Sequence, residues 1–114
     1  MARRFVRLLL FLPLAAAIAP GGVAAQGTPP GDPAAGRALA GQLCSSCHLV
    51  GPEQRGPVPD GVPSFMAIAA RPGTMEDHLL GVLVSPPHPA MPAPPLDRRQ
   101  MRDVAAYILS LRPR

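Results

Sequence analysis

The stretch Cys44-Ser45-Ser46-Cys47-His48 constrains this chain more than any other. It holds both cysteines of the protein, two residues apart, with a histidine bonded directly to the second. A Cys-x-x-Cys pair serves three chemistries: a tetrahedral metal corner, a dithiol switch, or a covalent hook for a larger group. As a simple disulfide it would do little, because closing a two-residue gap removes almost no entropy from the unfolded chain. The surroundings have to choose among the three.

The first of these surroundings is the N-terminus. The chain has 114 residues, one domain at most. Arg3, Arg4 and Arg7 precede an apolar run over residues 8–19, and Val23-Ala24-Ala25 follows ahead of Gln26. A basic start, a short apolar middle and a small-residue end predict a signal peptide over residues 1–25 and a periplasmic or otherwise exported product. The rival, an uncleaved membrane anchor, needs about 20 consecutive apolar residues, and Pro13 interrupts a shorter run. A twin-arginine export signal is matched only loosely by Arg3-Arg4.

Cleavage after Ala25 leaves 89 residues, with eight arginines against seven carboxylates. The whole-chain charge of +4 thereby falls to +1, and there is no lysine. Such a balance excludes a nucleic-acid partner on electrostatic grounds. Bulk is scarce as well, since only Phe65 and Tyr107 are aromatic beyond the signal. Domains this small draw on a metal, a cofactor or several bridges to stay folded.

The local pattern is all-α. Residues 26–31 form a flexible leader, and the domain runs over residues 32–114. Asp32 and Pro33 supply an N-cap and a first-turn proline for a helix through Cys44, with Ala35, Leu39 and Leu43 as its apolar stripe. Residues 49–63 contain four prolines and read as a loop. A short helix is expected over residues 63–70. Another should run to about Val84, opened by Thr74 and Asp77 as a capping box. Residues 85–95 hold six prolines and form a stiff loop. The final helix has Asp97 as cap, Gln100 at the reciprocal position, and Leu96 against Met101 as a staple. Its apolar face is Met101, Val104, Ala105, Ile108 and Leu111.

Against this background the three chemistries separate. Zinc takes four ligands, and the paired histidines of a finger lie three to five residues apart. Here His78 and His88 have nine residues between them, and His48 adjoins Cys47 too closely for separate corners of one tetrahedron. A thioredoxin-like dithiol expects a βαβ setting, and the pattern offers no strands. In C-x-x-C-H, however, two thiols add across the vinyl groups of haem and the next residue ligates the iron. This option accounts for the histidine, the export signal and the missing bulk together.

The residues 36–48 "GRALAGQLCSSCH", the Met91-Pro92 of the late loop and the closing 103–111 "DVAAYILSL" resemble a class I c-type cytochrome. The resemblance implies three to four short helices wrapped around one covalent haem c, bound through Cys44 and Cys47, with His48 on the iron. It implies that the first and last helices cross at a small residue with an aromatic nearby, roles that Gly36 and Tyr107 match. The family often has an aromatic four residues before the first cysteine, where this chain has Ala40.

The sixth ligand separates electron carriage from small-molecule binding, because His/Met ligation saturates the iron and raises its potential. Met91 is the expected ligand, since it lies in a proline-stiffened loop comparable to the family's methionine loop. Met66, Met75 and Met101 read as packing or exposed residues. His88 and His78 are rivals, otherwise a solvated side chain near the haem edge and a residue on the exposed face of the third helix. The resemblance also implies a proline carbonyl bonded to the other nitrogen of His48. Pro57 has a suitable separation, and Pro52 is nearer. Phe65, Leu79, Leu80, Leu83 and Ile108 are expected walls of the haem pocket.

The implied function is an exported carrier of single electrons between redox protein partners, such as a donor dehydrogenase and an acceptor oxidase or reductase, and not an enzyme in itself. Two alternatives stand beside it: a cytochrome subunit held by a dehydrogenase or oxidase, and an open-site haem sensor.

Overall fold

The computed structural model describes residues 27–84, 88 and 96–114. The predicted signal segment, most of the proline-rich late loop and Met91 lie outside the described residues. Four helices make up the described chain: α1 (Pro33–Leu43), α2 (Phe65–Ala70), α3 (Glu76–Val84) and α4 (Arg98–Ser110). No strand occurs among the described residues, in keeping with the expected all-α class.

Both long helices begin where their capping residues dictate. The Asp32 carboxylate accepts the Ala34 N–H at 2.8 Å, and Pro33 occupies the first turn without wasting a donor. At α4 the capping box closes in both directions: Asp97 accepts the Gln100 N–H at 2.8 Å, and Gln100 Oε1 accepts the Asp97 N–H at 2.9 Å. Leu96, just outside, is buried and Met101 packs against the core.

The middle helices depart from expectation. Helix α2 starts at Phe65, capped by the Ser64 hydroxyl, which accepts the Ala67 N–H at 3.1 Å. No capping box forms at Thr74. Its buried hydroxyl donates instead to the Ile68 carbonyl at 3.0 Å, knitting the end of α2 to the turn before α3. The first turn of α3 carries Glu76 and Asp77, whose charges suit the positive end of the helix dipole.

α4 packs against α1, α2 and α3, so the amphipathic helix with the clearest apolar face is the hub. Val104, Ala105, Tyr107 and Ile108 are buried on it, joined by Ala40, Val50, Phe65, Ala69, Leu79 and Leu96. The crossing with α1 is a backbone-to-backbone contact. A Cβ on Gly36 would overlap the carbonyl of Asp103 and stand 2.9 Å from the Tyr107 Cβ. The buried face of α1 is therefore Gly36 and Ala40, with Leu39 and Leu43 at its border, rather than the expected Ala35 stripe.

Asp103 is buried, and its Oδ1 accepts the Asp32 N–H at 2.7 Å, tying the start of α1 to α4.

Candidate functional site

The segment after α1 keeps turning as a helix would. The Cys44 carbonyl accepts from the Cys47 N–H at 3.1 Å and from the His48 N–H at 2.8 Å. One helical turn therefore separates the thiols and delivers His48 immediately after them. Both cysteines are free thiols; Cys44 is half-buried and Cys47 exposed. Burial, and after it the neighbouring Cys47, hold the Cys44 thiol above its ordinary pKa.

His48 is held by its ring. Its Nδ1 lies 2.7 Å from the Pro63 carbonyl oxygen. A carbonyl only accepts, so the proton sits on Nδ1 and the lone pair is left on Nε2. Pro57 was expected in this role, and the structure corrects it to Pro63. The reason is non-local: the Phe65 N–H donates to the Leu49 carbonyl at 2.9 Å and draws residues 63–65 back beside the motif. Gly56 and Gly61, at φ 118° and 79°, let the loop reverse on the way, and Pro57 is left exposed on it.

A residue that sequence reasoning passed over secures the rest of the turn. Gln54 Oε1 accepts the Val50 N–H at 2.8 Å, and its Nε2 donates to the carbonyls of Ser45 and His48 at 3.2 and 3.1 Å. One amide thus satisfies three backbone groups around the motif. Gln54→Ala is expected to lower stability by about 2 kcal/mol, the cost of leaving such groups unpaired. Gln54→Glu should recover part of this, since a carboxylate accepts from Val50 but donates to neither carbonyl. Denaturant midpoints of the two holoproteins check both.

Aromatic contacts carry the site into the core. The His48 ring lies 5.4 Å from that of Phe65, and Phe65 lies 6.3 Å from Tyr107. The Tyr107 hydroxyl donates to the buried Val50 carbonyl at 2.8 Å, so α4 grips the chain two residues beyond His48. Of the expected pocket walls, Phe65, Leu79 and Ile108 are buried, while Leu80 and Leu83 pack at the border of the same cluster.

The remaining candidate ligands are scattered. Met75 is 62% exposed, Met101 packs on the core, Met66 is half-buried and His78 is exposed on α3. His88 differs. It is half-buried rather than solvated, its ring centroid lies 5.9 Å from that of His48, and its buried Nδ1 has no hydrogen-bond partner among the described residues.

Two free thiols one turn apart, followed by an imidazole whose Nε2 has no hydrogen bond among the described residues, fit a covalently bound haem. When bound, the group would be held by Cys44 and Cys47 as thioethers and by His48 at the metal, and it supplies one-electron redox chemistry.

Comparison with known proteins agrees. The family model described as Cytochrome c matches residues 33–112. The chain is also 45% identical over 82 residues to cytochrome c-552 of Bradyrhizobium diazoefficiens, covering 72% of this chain and 77% of that protein. The family implies one covalently bound haem c and an electron carrier with redox protein partners. This chain belongs to the cytochrome c family, as a class I c-type cytochrome.

Proposed function

We propose that the chain is exported, cleaved after Ala25, and matured into a monohaem cytochrome that carries single electrons between redox proteins in the periplasm. Residues 26–31 serve as leader and residues 32–114 as the cytochrome domain. Among the described residues no helix is long and apolar enough to cross a membrane.

The observation that carries this reading is the orientation of His48, with Nδ1–H on Pro63 and the lone pair left on Nε2, directly behind two free thiols. Cys44 and Cys47 would anchor the haem as thioethers, His48 and Met91 would be the donors to its iron, and Pro63 orients His48. Pro89 and Pro92 flank Met91 and reduce the entropy lost in holding its sulfur in place. Retaining both donors in either oxidation state keeps the surroundings still while charge moves. A thioether opposite an imidazole favours the reduced state and raises the potential.

Docking should rest on apolar contact near the exposed Cys47 with some contribution from arginines, because the mature chain has no lysine. Redox encounters commonly use small interfaces of this kind.

The decisive experiment is an optical spectrum of the purified protein, oxidised and reduced, with its intact mass. The expected result is one covalent haem on a chain beginning at Gln26, with a weak sulfur-to-iron charge-transfer band that Met91→Ala abolishes. Rapid carbon monoxide binding by the ferrous wild type at neutral pH would overturn closed ligation and favour an open-site sensor. Co-purification as a stable heteromer would instead assign the chain as a subunit of a larger oxidoreductase.

A further inference from the structure

We infer that His88 is a second nitrogen donor for the iron, which takes the sixth position whenever the sulfur of Met91 does not. The inference rests on the haem reading above, but the residues that carry it are His48 and His88.

The imidazole rings of His48 and His88 have centroids 5.9 Å apart and planes inclined by 32°. Metal–imidazole bonds of about 2 Å on each side of one metal place the two ring centroids on the order of 6 Å apart. The observed spacing therefore suits two rings that share a metal. Rings in mutual contact usually do so within a hydrogen-bonded or stacked setting, and His88 lacks the first: its Nδ1 is buried with no partner among the described residues.

A buried, unpaired imidazole nitrogen is costly and calls for a partner. The ring it faces offers none at Nδ1, because that nitrogen of His48 is committed to Pro63. A metal on the far side of His48 would engage the nitrogen of His88. His78, the other histidine beyond the motif, is exposed on α3 and has no such placement.

His88 also stands three residues from Met91 in the sequence, so the two donors belong to one short stretch of chain. Exchange of thioether for imidazole replaces one neutral donor by another, with no electron or proton transferred to the chain. The device would keep the iron closed to small molecules and lower its potential, because a second imidazole favours the ferric state more than a thioether does.

The test uses four haem-loaded proteins: wild type, Met91→Ala, His88→Ala and the double variant. Ferric Met91→Ala should be low-spin, with the electron paramagnetic resonance signature of two nitrogen ligands, and the double variant should be high-spin. Ferrous Met91→Ala should bind carbon monoxide at least about tenfold more weakly than the double variant, as expected for a site nine-tenths closed. Added imidazole should return the double variant to the low-spin form, which distinguishes an open site from a collapsed one.

A high-spin Met91→Ala protein would overturn the inference outright, and so would a low-spin signature that survives in the double variant. The assignment of Met91 is decided by a different comparison, wild type against Met91→Ala. Loss of the sulfur-to-iron band there bears on Met91 alone, and His88 is decided by the double variant.

Discussion

Replacing Cys44 and Cys47 together with alanine is expected to give a colourless chain that does not fold. Among the described residues ten apolar side chains form the buried core, and three of them are alanines. Phe65 and Tyr107 are the only large aromatics available. The helices are short as well: α2 spans 6 residues, α3 spans 9 and α1 spans 11. Isolated helices below about 12–15 residues are marginal in water, so tertiary burial has to hold them.

A haem welded between the helices supplies that burial. Its covalent attachment makes the gain independent of ligand concentration, unlike ordinary binding linkage. Removing both thiols leaves only the reversible bonds of His48 and Met91 to hold the group. The expected loss is the whole folding free energy, about 5–15 kcal/mol for a domain of ordinary stability. Far-UV circular dichroism and intact mass check it. A double variant with wild-type helicity and a cooperative melt, carrying no haem, would show that the polypeptide core suffices. The single variants should fall between, because one thioether still tethers the group.

What could be read ahead of the structure follows the range of the interactions. Caps and boxes at Asp32, Asp97 and Gln100 are local, and their residues sit where the sequence predicts. The crossing of α1 and α4 at Gly36 is implied only by the resemblance to class I c-type cytochromes, and the backbone contact bears it out. Contacts between distant segments were not legible. Nothing in the loop sequence says that Leu49 will capture Phe65, and that one bond decides whether Pro57 or Pro63 reaches His48.

Gln54 and Asp103 were hidden for a related reason. Glutamine and aspartate in polar surroundings read as solvated, and only the fold shows that one satisfies three backbone groups while the other binds the start of α1. Thr74 shows the converse failure. Its sequence spacing is right for a capping box, but the same hydroxyl had a better acceptor in the Ile68 carbonyl once α2 stopped at Ala70.

Gly36→Ala tests the crossing on which the haem loop depends, and it is expected to destabilise the holoprotein by about 3 kcal/mol or more, at the upper end of overpacking costs. The added methyl would overlap the backbone carbonyl of Asp103 and press on Tyr107 at 2.9 Å, and neither is a flexible side-chain end that could swing away. The helices must separate instead. Separation strains the bond from the Asp32 N–H to Asp103 and leaves a buried carboxylate short of a donor. It also pulls on Tyr107, whose hydroxyl holds the Val50 carbonyl two residues beyond His48. At about 4–8 °C per kcal/mol for a domain of this size, the melting temperature should fall by roughly 12 °C or more. Gly41→Ala on the same helix is the control. Nothing lies within 4 Å of a Cβ there and the position is exposed, so the same chemical change should stabilise the protein, by up to about 1 kcal/mol. Equal and small effects at both positions would mean that α1 and α4 do not meet through their backbones at Gly36.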